Sequence, residues 1–171
     1  IQDIVKKPSS KAIQQHANLL LGKLKRFQAQ SEKDPEKRIQ VTNEAIEVLN
    51  KFIAENPDYS RVTDAKFEVS ELLQEKGWFM TAVLKVETDP VKKQSLTEEV
   101  EKVNKQIAEY LSDMIAQEQK KVDNTQDQTK KEELENTVVN ASYKHCLNFY
   151  YWGLLYGKGD ENRKKYLQEA I

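Results

Sequence analysis

The chain has 171 residues, room for one compact domain or a short array of smaller units, and a hydrophobic content of 38% that is low but adequate for a core. Charged residues make up 32% with only five Gly and four Pro, and strand-forming residues rarely alternate, a combination that suits long solvated helices and excludes a sheet-based fold. A formal net charge of −1 gives no global attraction for nucleic acid, Cys146 alone permits no intramolecular disulfide or thiolate cluster, and no apolar run nears the roughly 20 residues that span a bilayer.

The first 30 residues carry Lys6, Lys7, Lys11, Lys23, Lys25 and Arg26 against Asp3 alone, a local charge of +5. Such a helix attracts phosphates or anionic lipid, but no aromatic residues interleave with the lysines as in single-strand binders, so a solvated face is expected. Beginning at Ile1 and stopping inside "LQEAI", the chain reads as an excised piece of a longer protein.

Pro8 and a Ser9/Ser10 cap open the first predicted helix, whose apolar residues Ile13, Ala17, Leu20, Leu21, Leu24 and Phe27 recur by threes and fours and are expected inward. Asp34 caps a second helix with Pro35 at its first position, and Asn56-Pro57 stops it. Its stripe is Ile39, Thr42, Ala45 or Ile46, Leu49, Phe52 and Ile53. A third helix is predicted from about Ser60 to Lys76 with Ala65, Val69, Leu72 and Leu73 inward, Gly77 standing where a glycine cap belongs. "WFMTAVLKVE" is then a short fourth helix. Asp89-Pro90 starts a long fifth, reaching about Val122, in which Leu96, Val100, Val103, Ile107, Tyr110 and Met114 recur at steps of four and three, a heptad seam. "DNTQDQ" is a turn, a sixth helix runs from about Thr129 to Tyr156, and "GKGD" separates it from a seventh. The expected fold is all-α.

Serial helical hairpins invite a search for repeats. Phe149-x2-Trp152-Gly153-x2-Tyr156 resembles the first-helix signature of tetratricopeptide repeats, aromatic, then Leu-Gly, then Tyr. Ala45-x3-Leu49 with Pro57 resembles the second-helix half, with Leu21-Gly22 as its first-helix partner. Val69-Ser70, Leu73, Gly77, Ala82 and Val86 resemble a third unit. Gly inside a helix costs roughly 1 kcal/mol relative to Ala, so Gly22 and Gly153 want a reason; close approach of a neighbouring helix supplies one, with Ala45 and Ala82 as matching small surfaces. The equivalent positions Gly22, Ser70 and Gly153 are unevenly spaced, and the helix from Pro90 has no counterpart in the standard repeat.

The resemblance implies one helical domain over residues 1–171, an irregular α-solenoid with hairpin units at about 9–56, 60–88 and 129–171 and a long inserted helix at about 90–122. The inserted helix and the N-terminal half of the sixth would form an antiparallel hairpin. It also implies a concave groove lined by first helices. Carried over by position, the groove residues are Leu19, Lys23 and Arg26 around Gly22, Phe67, Glu71 and Gln74 around Ser70, and Tyr150, Leu154 and Gly157 around Gly153. Helical spacing sets Leu147 and Leu154 beside Tyr150 as an apolar strip, whereas Phe149, Trp152 and Tyr156 fall on the other side as core.

Catalytic patterns are missing. His145 and Cys146 are adjacent on a helix, point about 100° apart, and form neither a metal pair nor a nucleophile–base pair. "DNTQDQTKKEE" lacks the central Gly of a calcium loop and has Leu134 where the bidentate Glu belongs. There is no phosphate-binding glycine loop, GxSxG or HExxH. The expected function is therefore a non-catalytic module that binds a protein or peptide, with no metal or cofactor. The alternative is a structural spacer or oligomerisation element whose long heptad hairpin self-associates, as in a homodimer through the heptad helix, or positions neighbouring domains.

Overall fold

The computed structural model describes residues 11–171, so the Pro8 and Ser9/Ser10 cap and the charges of Asp3, Lys6 and Lys7 lie outside the described residues. Among the described residues the protein is all-helical: α1 (Lys11–Ser31), α2 (Pro35–Glu55), α3 (Val62–Val86), α4 (Pro90–Asp123), α5 (Gln128–Gly153) and α6 (Glu161–Glu169). Where the sequence suggests one domain, the chain divides into two compact units, Ile1–Lys76 and Gly77–Ile171. No helix is long and apolar enough to cross a membrane, among the described residues.

Two corners are built alike. Before α2, one Glu32 carboxylate oxygen accepts the N–H groups of Lys33 and Asp34, and Asp34 in turn accepts those of Glu36 and Lys37. Before α4, Glu87 does the same for Thr88 and Asp89, and Asp89 for Val91 and Lys92. Pro35 and Pro90 follow at positions that need no donor.

In the first unit, α1 and α2 are antiparallel: Gln15 donates to Asn56 at 2.8 Å at one end and Lys25 pairs with Glu44 at 2.7 Å at the other. The expected α2 stripe is inward, with Thr42, Ala45, Ile46, Leu49 and Phe52 buried. So are Ala65, Val69, Leu72 and Leu73 of α3. The face of α1 differs from expectation. Ala17, Leu19, Gly22 and Ala29 are its buried residues, whereas Ile13, Leu20, Leu24 and Phe27 are exposed. Three consecutive leucines, Leu19 to Leu21, leave the phase of the stripe open, and the small residues win because they let α2 come close. A Cβ added to Gly22 would stand 2.3 Å from Leu49 Cδ2, so the predicted close approach is real, though it is made by Leu49 rather than Ala45.

The unit expected at 60–88 is one continuous helix, Val62–Val86, rather than a hairpin, and Gly77 is a buried mid-helix residue, not a cap. Only Gly159 has positive φ, at 94°, among the described residues. Helix propensity lost at one glycine, about 1 kcal/mol, is small beside the burial of Met80 and Leu84 beyond it. Ala82 and Val86, expected to pack as a second helix, are exposed.

In the second unit α4 and α5 form the antiparallel hairpin, with Asn148 Nδ2 donating 3.0 Å to the Asn104 carbonyl and the Tyr156 hydroxyl donating to Glu101. Val100, Val103, Ile107 and Met114 of the seam are buried, and Asn104, Ala108, Leu111, Glu118 and Val122 join them, a face wider than two positions per heptad. Those seam residues are thus spent inside the unit, so a homodimer through them would have to open it. Gly153 ends α5 one turn before the expected Tyr156, and its Cβ would stand 3.0 Å from Leu167 Cγ of α6.

Candidate functional site

The charged part of the expected groove is internally neutralised. Glu68, Glu71 and Glu75 recur at steps of three and four on α3, and Arg26 of α1 bonds to all three. Lys23 pairs with Glu68 at 2.9 Å, and Gln30 donates to Glu75 at 3.0 Å. Later residues of α1 meet later residues of α3, so these two helices are parallel. Partial burial pulls the Arg26 proton affinity down, but Glu75 and Glu68 outweigh it and hold the guanidinium above its ordinary value. The basic and acidic ends predicted for a ligand therefore satisfy each other. Leu19 is fully buried, Gln74 is buried, and Phe67 is half-buried. Leu19 and Gln74 thus face the interior, and Lys23, Arg26 and Glu71 are engaged within the unit.

The aromatic stretch near the end of α5 divides as its spacing predicts. Trp152 is buried, Phe149 stacks on it at 5.9 Å, and Tyr166 of α6 stacks on Trp152 at 4.1 Å and 14°. Tyr156 joins the stack at 5.8 Å from Tyr166. Burial first, then the Glu101 charge, pushes the Tyr156 hydroxyl above its ordinary pKa. His145 sits edge-on to Phe149 at 4.9 Å, and burial lowers its pKa against the opposing influence of the Ala108 carbonyl and Glu169. A cleft of about 680 Å³ runs along the stack, but its lining mixes Glu98, Glu101, Glu109 and Glu169 with Lys102, Lys105 and Lys165, so neither sign of charge dominates.

The other side of the stretch is open. Tyr150 is 45% exposed, Tyr151 42% and Leu154 40%, while Leu147 is half-buried and Gly157 is exposed. Trp78, 50% exposed, meets Tyr151 edge-on at 5.7 Å, and Tyr151 meets Tyr150 at 5.5 Å. Between them lies a notch of about 280 Å³ lined by Gly77, Trp78, Thr81, Ala82, Lys85, Asn104, Tyr151, Leu154 and Leu155. Trp78, Thr81, Ala82 and Lys85 share one face of α3 by helical spacing, and the turn after α5 supplies the leucines. Contiguous exposed aromatics of this kind mark interaction sites more often than scattered ones do.

Of the predicted site residues, Tyr150 and Leu154 are thus brought together on one open surface, with Leu147 half-buried. Trp78, Tyr151, Asn104 and Lys85 were not predicted. Reading α3 as one helix would have exposed Trp78, since it falls off the inward line of Leu73, Met80 and Leu84. Among the described residues, no three His, Cys, Asp or Glu side chains converge as a metal would require.

No protein-family model matches the chain, and no curated protein or solved structure matches it either.

Proposed function

We propose that this chain is a non-catalytic protein–protein interaction module, an irregular tetratricopeptide-like helical repeat that binds a protein or peptide partner. The exposed Trp78–Tyr151–Tyr150 cluster around an apolar notch carries the reading. Tyr and Trp give a partner large contact area at low entropic cost, and such residues dominate binding hot spots. The repeat-like architecture draws support from the first unit, where α1 and α3 run parallel with antiparallel α2 paired to α1, and from the close approaches at Gly22 and Gly153. The continuous α3 and the long α4 depart from a regular array. The test is affinity capture on the purified chain beside Trp78→Ala and Tyr150→Ala. Both variants should keep the wild-type melting temperature and lose the captured partner; capture unchanged in both would sink the reading.

A second reading, a structural or self-associating element, is favoured by one observation. Ile13, Leu20, Leu24 and Phe27 form an exposed apolar face on α1. Sedimentation of the wild type and of Leu24→Lys/Phe27→Lys would detect it as a dimer that the double substitution dissolves. Ile107→Lys, by contrast, is expected to unfold the second unit, because Ile107 is 1% exposed.

A further inference from the structure

The notch beside Trp78 is lined by a polar side chain whose acceptor the fold does not use up. Asn104 is only 6% exposed, and its Nδ2 donates to the Val100 carbonyl at 3.0 Å. No donor reaches its Oδ1 among the described residues, and the side chain lines the notch. The Oδ1 atom opens onto the notch, where it can accept a hydrogen bond from a group that enters it. Gly77 faces the same atom. A Cβ on Gly77 would stand 4.0 Å from Asn104 Oδ1 and no closer than 3.5 Å to Val103, ordinary contact distances. Packing therefore does not demand glycine here, although a mid-helix glycine lowers stability. What the missing side chain does is keep the approach to Oδ1 clear. At the rim, Lys85 is the one charged residue of the lining, and no acidic side chain pairs with it among the described residues.

We infer that the notch recognises an apolar–acidic peptide segment: one large apolar side chain seated against Trp78, Tyr151 and Leu154, a backbone N–H donated to Asn104 Oδ1, and an Asp or Glu of the segment on the Lys85 ammonium. This rests on the interaction-module reading and adds the chemistry of the partner. The volume of about 280 Å³ holds a single Leu, Phe or Met side chain and part of the backbone, not a folded element. Lys85, with no carboxylate of its own, sets the sign of the charge that complements it.

The experiment is fluorescence anisotropy with synthetic peptides carrying a central Leu or Phe flanked by Asp, by Asn or by Lys. Wild type should bind the Asp-flanked set about tenfold more tightly than the Lys-flanked set. Lys85→Glu should invert that ranking, and Asn104→Leu, which keeps the buried volume, should weaken all sets about tenfold with the melting temperature held. Equal binding of the three sets, or a ranking indifferent to Lys85→Glu, overturns the inference. If binding then still depends on Trp78, the interaction reading stands without it. If no peptide binds in a Trp78-dependent way, both fall.

Discussion

Gly22 of α1 faces Leu49 of α2 so closely that an added methyl group would lie 2.3 Å from Leu49 Cδ2 and 2.6 Å from Cγ. Leu49 is fully buried, so its side chain has little room to move aside. Gly22→Ala gains about 1 kcal/mol of helix propensity but forces an overpacked contact costing about 1–3 kcal/mol. Net destabilisation of the first unit is expected, read as a lower urea midpoint, whereas in a Leu49→Ala background, where the contact is gone, Gly22→Ala should no longer destabilise. A stabilised Gly22→Ala would refute the close approach.

Gly77 has the opposite expectation. Its Cβ would meet Val103 at 3.5 Å and Ile107 at 3.6 Å, distances that a methyl group accepts. Gly77→Ala should therefore stabilise the second unit by up to about 1 kcal/mol. Were Gly77 a left-handed cap, the same change would destabilise, so the sign of the shift in thermal melting decides between one helix and two.

Removing the Arg26 guanidinium leaves Glu68, Glu71 and Glu75 facing one another along α3. Arg26→Leu is expected to cost on the order of 2 kcal/mol at low salt, from lost charge-assisted hydrogen bonds and from repulsion. Added salt should shrink the loss by screening that repulsion, and denaturant melts at two ionic strengths would show it.

His145 gives a pH dependence with a definite sign. Burial lowers its folded pKa from the ordinary 6.5, so the folded state binds the proton less readily than the unfolded chain. Its contribution is complete above 6.5 and is lost as pH falls below that value through the folded pKa. His145→Gln should flatten the fall in melting temperature between neutral and mildly acidic pH. An unchanged slope would show that the imidazole is not held neutral by the fold.

What could be read in advance follows the range of the interactions. Caps at Asp34-Pro35 and Asp89-Pro90 act over a few residues and were legible, as were the buried stripes of α2 and of α3 through Leu73. The tendency of glycine to end helices misled at Gly77, because burial further along α3 outweighs a local preference. The engagement of Arg26 was hidden for another reason. Its partners lie 42 to 49 residues away, so only the packing of α1 on α3 turns a basic patch and an acidic one into a single closed network. The notch was illegible for the same reason, since Trp78, Asn104 and Tyr151 come from three helices.

The matched corners Glu32-Lys33-Asp34-Pro35 and Glu87-Thr88-Asp89-Pro90 are closed by hydrogen bonds between groups no more than four residues apart. Neither waits on any distant contact, so the chain can commit to the starts of α2 and α4 while the rest is still unfolded, at almost no loop-closure entropy. Glu-x-Asp-Pro thus acts here as portable punctuation, indifferent to which helices it separates.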